Sequence, residues 1–229
     1  MKIVCISDTH TYQRAMKHSI PEGDVLVHAG DFMNSGHNKR DYLDFIKWFN
    51  DQPHLYKVFI AGNHDRFVEK YNEEFRSDVK DLNNENLFYL QDESCVIEGI
   101  KFYGSPWQKW FWDWAFNFPN PHWGEPTFSK PKAELAAKEC WAKIPLDTNV
   151  LITHGQPYGL NDRAPDGELT GCPHLLNKIN ELKDLKLYVG GHIHCEYGTT
   201  VRNKVHFVNA SVCTERYVPT NAPIVFDLV

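Results

Sequence analysis

No stretch of this sequence is apolar for long enough to cross a bilayer. The longest apolar runs, Val25–Ala29 and Asn149–Thr153, fall far short of the roughly 18 residues a membrane helix needs, so no membrane partner is expected. Positive charge is in deficit, with 24 Lys and Arg against 30 Asp and Glu in 229 residues and a formal net charge of −6. Nucleic-acid phosphates are held mainly by Lys and Arg, so strong DNA or RNA binding is not expected either. The six cysteines (Cys5, Cys95, Cys140, Cys172, Cys195 and Cys213) are scattered, with no Cys-x-x-Cys spacing. That excludes a zinc clip or a dithiol redox motif and predicts reduced, mostly buried thiols. There is no Gly-x-Ser-x-Gly elbow, no Gly-x-x-x-x-Gly-Lys-(Ser/Thr) loop and no His-Glu-x-x-His, which removes serine-hydrolase, P-loop and zincin chemistry. The first residues reach Asp8 before an apolar leader core forms, a pattern that predicts a cytoplasmic location.

What is present is an ordinary globular balance, 42% hydrophobic and 24% charged. No repeat or low-complexity linker divides it, so one domain over residues 1–229 is expected. Five β-branched runs each stop at a polar cluster: Lys2–Ser7, Asp24–Ala29, Tyr56–Ala61, Asn149–Thr153 and Lys186–Val189. Each reads as a buried strand feeding a loop. Helical spacing marks Lys39–Asn50, closed by Pro53, and similar patterns mark Lys132–Lys143 and His174–Leu185. Shorter strands joined by turns are predicted at Leu87–Leu90, Cys95–Ile97, Lys101–Tyr103, Tyr197–Val201, Lys204–Val208 and Ile224–Leu228. Mixed sheets with helices outside them follow.

The five strand exits carry Asp8, His10, Asp31, Asn63, His64, Asp65, His154, His192 and His194. Strand ends of an α/β layer converge on one sheet edge, where ligands bind. Neutral imidazoles gathered there gain little without a proton or cation between them. The set contains oxygen and nitrogen donors and no thiol, which suits several transition metals.

In order, Asp8-Thr9-His10, Gly30-Asp31, Gly62-Asn63-His64-Asp65, His154 and Gly191-His192-Ile193-His194 resemble the motifs of the calcineurin-like metallophosphoesterase family. Gly104–Trp114, Thr153–Pro157 and the segments around Asn209–Thr214 and Pro219–Pro223 look like its small branch of metallophosphoesterase domain-containing proteins, phosphodiesterases in the main. The resemblance implies a four-layer α-β-β-α sandwich of two mixed sheets flanked by helices. It implies two divalent metal ions, manganese first, with iron, zinc, cobalt or nickel as alternatives. One is held by Asp8, His10, Asp31 and His194, the other by Asp31, Asn63, His154 and His192, with Asp31 shared. A metal-bound hydroxide would attack a phosphodiester, a cyclic or small nucleotide being the leading substrate class. His64 would stabilise or protonate the leaving group and Asp65 would orient His64. The alternatives are a phosphomonoesterase or protein phosphatase, which would need extra cations near the ligand motifs where no Arg stands, and a non-catalytic metal-binding scaffold.

Other features carry less. The aromatic segment Trp107–Phe118 reads first as a loop pinned by large rings and second as a stacking platform for a nucleobase, with Trp107 the ring expected to edge the site. His28 reads as a core or supporting histidine. His18, His37, His54, His122, His174 and His206 lack motif context. Asp162 and Arg163 read as a loop ion pair or a phosphate contact, His37 and Asn38 as a possible approach to substrate, and Asp78–Glu85 as a solvated face.

Overall fold

A computed structural model describes residues 1–110, 112–118 and 130–228; Phe111 and His122 lie outside the described residues. One sheet contains β1 (Lys2–Ile6), β2 (Val25–Ala29), β3 (Tyr56–Ile60), β4 (Leu87–Tyr89) and β11 (Ile224–Asp227), in the order β11-β1-β2-β3-β4. The other contains β5 (Glu93–Ile97), β6 (Ile100–Ser105), β7 (Val150–Thr153), β8 (Leu187–Gly190), β9 (Gly198–Arg202) and β10 (Val205–Asn209), in the order β5-β6-β7-β8-β10-β9. Both are parallel in the middle and antiparallel at one or both edges.

The period of two along each strand sorts the side chains between layers. Ile3, Cys5, Val25, Val27, Val58 and Ile60 of the first sheet pack against Phe102, Val150, Ile152, Leu187, Val189 and Val208 of the second, forming the central core. Val4, Ile6, Leu26 and Phe59 point the other way. They meet the apolar faces of α1 (Lys39–Asn50), α2 (Arg66–Lys70) and α3 (Asn72–Lys80), which bring Tyr42, Phe45, Phe49, Val68 and Phe75. On the far side Tyr103, Leu151, Tyr188 and Phe207 meet Ala137, Cys140 and Trp141 of α4 (Lys130–Ala142) and Leu175 and Ile179 of α5 (Pro173–Glu181). Three cores between four layers make the expected α-β-β-α sandwich.

Helix α1 starts where Asn38 caps it, its side chain accepting from the Arg40 N–H at 3.0 Å. Asn38 is exposed and its side chain serves this cap. Helix α5 ends earlier than its periodicity predicts, because Leu182 turns extended and buries itself with Leu185. Within Asp78–Glu85, Asp78 belongs to α3 and pairs with Lys39 at 2.8 Å. All six cysteines are free, with Cys5, Cys140, Cys172 and Cys213 buried.

Candidate dinuclear metal centre

Strands β1, β2 and β3 end beside each other, and β7 and β8 end across from them in the facing sheet. The loops that follow leave the strands by unusual backbone. Asp8 (φ 54°), His10 (φ 43°), Asp31 (φ 58°) and His192 (φ 68°) lie in the left-handed region, which costs a non-glycine residue and persists only when neighbours enforce it. Enforcement comes from backbone bonds between loops, Asp8 N–H to Gly30 O at 2.9 Å and His10 N–H to Asp31 O at 3.0 Å. Two glycines permit the close approach. A Cβ on Gly191 would stand 2.2 Å from Asp8 Oδ2, and one on Gly62 would stand 2.3 Å from Asp31 Oδ1.

Among the described residues three overlapping donor groups result, one of them His10, Asp31 and His64, the other two the expected pairings. Asp8, His10 and His194 bring ligand atoms within 4.8 Å of one another, and Asp31, His154 and His192 do the same. Asn63 Oδ1 joins the second group, 2.9 Å from His154 Nε2 and 2.8 Å from His192 Nδ1. Asp31 reaches both, its Oδ2 being 3.2 Å from His154 Nε2 and 3.9 Å from His10 Nε2.

The hydrogen bonds decide whether cations fit here. His10 Nδ1 meets Met33 O, His154 Nδ1 meets Ala29 O and His194 Nδ1 meets Thr214 O, at 3.1, 2.9 and 3.0 Å. A carbonyl only accepts, so each Nδ1 carries the hydrogen and each neutral ring presents a lone pair at Nε2. Those lone pairs aim at other acceptors: His10 Nε2 at His194 Nε2 (3.2 Å), His194 Nε2 at Asp8 Oδ1 (3.2 Å), and His154 Nε2 at Asp31 and Asn63 oxygens. Acceptors converging on acceptors repel unless a proton or a cation sits between them. Asp8 is braced further by the Ser211 hydroxyl at 2.8 Å and the His192 N–H at 3.1 Å.

The protonation preferences show the same tension. Burial pushes His10 down to about 4 and His192 down to about 3. Burial alone would lower His154 too, but the Asp31 carboxylate beside it raises it to about 9. Burial would raise Asp8 and Asp31, yet His194 beside the first and His154 beside the second hold both below the usual carboxylate range. Protons thus occupy positions that divalent cations would take, and metal uptake would release them.

All nine residues expected at the site meet there. Asp31, Asn63, His64, His192 and His194 line a cleft of about 530 Å³, while Asp8, His10 and His154 are buried behind them. One expected role is corrected. Asp65 does not orient the His64 ring; its carboxylate instead accepts the backbone N–H groups of Gly62, Met33 and Asp31 at 2.7, 2.8 and 3.0 Å. It fixes the loops, and the Asn34 carbonyl orients His64 through Nδ1. Trp107 is also corrected. It packs on Phe116 and bonds Asp92 at 3.1 Å, while Trp114 stacks on His64 and Trp110 lines the cleft.

His28 supports from behind, its Nε2 3.0 Å from the Thr9 hydroxyl and its ring against Phe45. Asp162 and Arg163 serve their own loop. Asp162 accepts from Gly159 and Gly171 N–H, and Arg163 donates to Gly167 O. His37 is exposed and faces a shallow hollow beside Arg66 and Trp114. Missed by the sequence reading were Trp114, Ser211 and Tyr217, whose ring lies 4.7 Å from His10 and whose hydroxyl lies 3.5 Å from His64 Nε2. Ser211 was within reach, because β10 runs parallel to β8 and its exit is a sixth on the same edge.

Two carboxylates, four imidazoles and one carboxamide, grouped around two points with Asp31 common to both, make this a two-cation hydrolase type of centre on an α/β sandwich. The chain belongs to the family described as Calcineurin-like phosphoesterase, whose profile matches residues 1–196, and is a metal-dependent phosphoesterase. It is 38% identical, over 99% of its length, to human metallophosphoesterase domain-containing protein 1, covering 71% of that protein. A UPF0046 protein of Caenorhabditis elegans is 36% identical over 99% of this chain and 74% of its own. Among solved structures, TT1561 of Thermus thermophilus has a TM-score of 0.59 over 91% of this chain and 88% of its own, at 15% identity, a likeness of fold. No helix among the described residues is long and apolar enough to cross a membrane.

Proposed function

We propose that this chain is a cytoplasmic phosphodiesterase that hydrolyses a cyclic or small nucleotide diester with two divalent cations, manganese first. The observation that supports a diester is the charge around the cleft. Among its described lining residues Asp166, Glu168 and Glu215 stand against a single lysine, Lys109. A phosphate monoester carries roughly −1.5 to −2 near neutral pH and a diester only one negative charge, so this rim penalises the monoester more. The cleft suits a small ligand, and Trp110, 39% exposed on its wall, offers a face for a base.

When bound, the two cations would supply Lewis acidity, drawing charge from the phosphoryl oxygens and making water a stronger acid. Asp8, His10 and His194 would hold one, Asn63, His154 and His192 the other, and Asp31 both. The protein does the rest. His64, 8% exposed on the cleft wall, keeps Nδ1 on the Asn34 carbonyl and turns Nε2 toward the Tyr217 hydroxyl. From there the imidazolium form would hold a proton for the departing oxygen. The carbonyls behind His10, His154 and His194 hold those rings in one tautomer.

The test is a comparison of bis-aryl and mono-aryl phosphates with manganese-reconstituted protein, followed by 2′,3′-cyclic, 3′,5′-cyclic and linear dinucleotides. The diester should be hydrolysed at least about tenfold faster, a barrier difference of roughly 1.4 kcal/mol. A faster monoester would overturn the reading, as would purified protein that carries two metals and hydrolyses neither.

A further inference from the structure

The ring of His64 is gripped from several sides. The indole of Trp114 stacks on it with 4.0 Å between centroids and 26° between planes. The edge of His10 meets it at 4.6 Å and 78°, and Nδ1 is held by the Asn34 carbonyl. The indole is itself anchored. The Arg66 guanidinium carbon lies 4.4 Å from its centroid, and the same guanidinium donates to the Asp113 carbonyl. One residue on, the Ala115 N–H donates to Asn63 O at 3.0 Å, and the Phe116 N–H donates to Glu69 Oε1 at 2.7 Å. The aromatic segment is therefore fastened to the loop that carries Asn63 and His64, with Trp114 set against an imidazole on the cleft wall whose Nε2 meets the Tyr217 hydroxyl.

We propose that Trp114 is a positioning residue for His64, fixing the plane in which Nε2 meets the departing oxygen and thereby the protonation of poor leaving groups. This rests on the role given to His64 above. The reasoning is geometric. A general acid works within about 2.6–3.2 Å of the atom it protonates, and the Nδ1 hydrogen bond alone leaves the ring free to rock about that contact. The indole face removes this freedom. A displacement of the order of 1 Å is worth about 10²-fold in rate. The loss should be confined to substrates whose leaving oxygen needs the proton.

The experiment uses the full, manganese-loaded chain and aryl phosphodiesters whose phenols run from p-nitrophenol to unsubstituted phenol. For Trp114→Leu, kcat on the phenyl ester should fall roughly 10- to 100-fold and on the p-nitrophenyl ester by less than about threefold. KM and metal content should hold, and Trp114→Phe, which keeps a ring, should recover most of the loss. Trp114→Met replaces the Leu variant if that does not fold. A uniform loss across the series, an unchanged slope, or no recovery with Phe overturns the proposal.

His64→Ala in the same series separates the two ideas. If it shows no steeper dependence on the leaving group, the role of His64 itself fails. If it does and Trp114→Leu does not, only the positioning role fails. In the double variant the Trp114 change should add nothing to the slope.

Discussion

The Nε2 atoms of His10 and His194 face each other across 3.2 Å, although each ring keeps its hydrogen on the opposite nitrogen, bound to Met33 O and Thr214 O. Asp8 Oδ1 stands 3.2 Å from the same His194 atom. This arrangement is repulsive unless a proton or a cation sits between the acceptors, so folding, protonation and metal binding should be linked.

The first prediction concerns that linkage. Ligand at a hundred times its dissociation constant adds about 2.7 kcal/mol to stability, and a domain of this size gains roughly 2–4 °C of Tm per kcal/mol. Manganese should raise Tm by about 5–10 °C, and a chelator should reverse it. Differential scanning fluorimetry decides. A Tm indifferent to both would mean that the two donor groups do not load.

A second prediction separates the two groups. Asp31 reaches both, and Asp8 belongs to one. Asp31→Asn keeps the shape of the side chain and removes the charge that two cations would share. Elemental analysis after dialysis should then find less than one metal per chain, while Asp8→Asn should retain the ion at Asp31, Asn63, His154 and His192. Equal metal content in the two variants would show that Asp31 is not shared.

The third concerns Asp65. Its buried carboxylate accepts three backbone N–H groups that join the loops after β2 and β3. A carboxamide offers one acceptor oxygen and turns an N–H₂ toward the remaining donors. A buried N–H left without its acceptor costs about 1–3 kcal/mol, so Asp65→Asn should lower Tm by roughly 2–12 °C even without metal. An unaltered metal-free Tm would show that these three bonds do not hold the two loops together.

Much of this site was legible because apolar runs end in ligand residues. Nothing in sequence spacing joins His154 to Ala29 O, 125 positions away, but two sheets packed face to face bring those strand ends together once both are recognised as strands. Asp65 was misread for a local reason. The left-handed turn at Asp31 points its N–H at the carboxylate, and no spacing rule reveals a positive φ at aspartate. Trp114 was one ring among many in 107–118, and its selection depends on the path of that segment across the Asn63 loop. Helices α2 and α3 escaped notice because only Val68 and Phe75 on them are buried, too few to mark a periodic face.

The last prediction decides what His64 does. Its ring nitrogen also lies with His10 and Asp31 in a third group whose atoms fall within 4.8 Å of one another, so it is placed to be either an acid or a ligand. The two roles differ in what removal takes away. As the acid, His64→Ala should lower kcat by about 10²–10⁴-fold and leave two metals per chain, because the other seven donors are untouched. As a ligand, its loss should lower metal content and activity together, and excess manganese should restore both. The bond from Nδ1 to Asn34 O and the indole stacked on the ring turn a single nitrogen to the cleft, the arrangement a proton donor needs. Metal content measured beside kcat in the same preparation therefore decides between them, and parallel loss would move His64 into the ligand set.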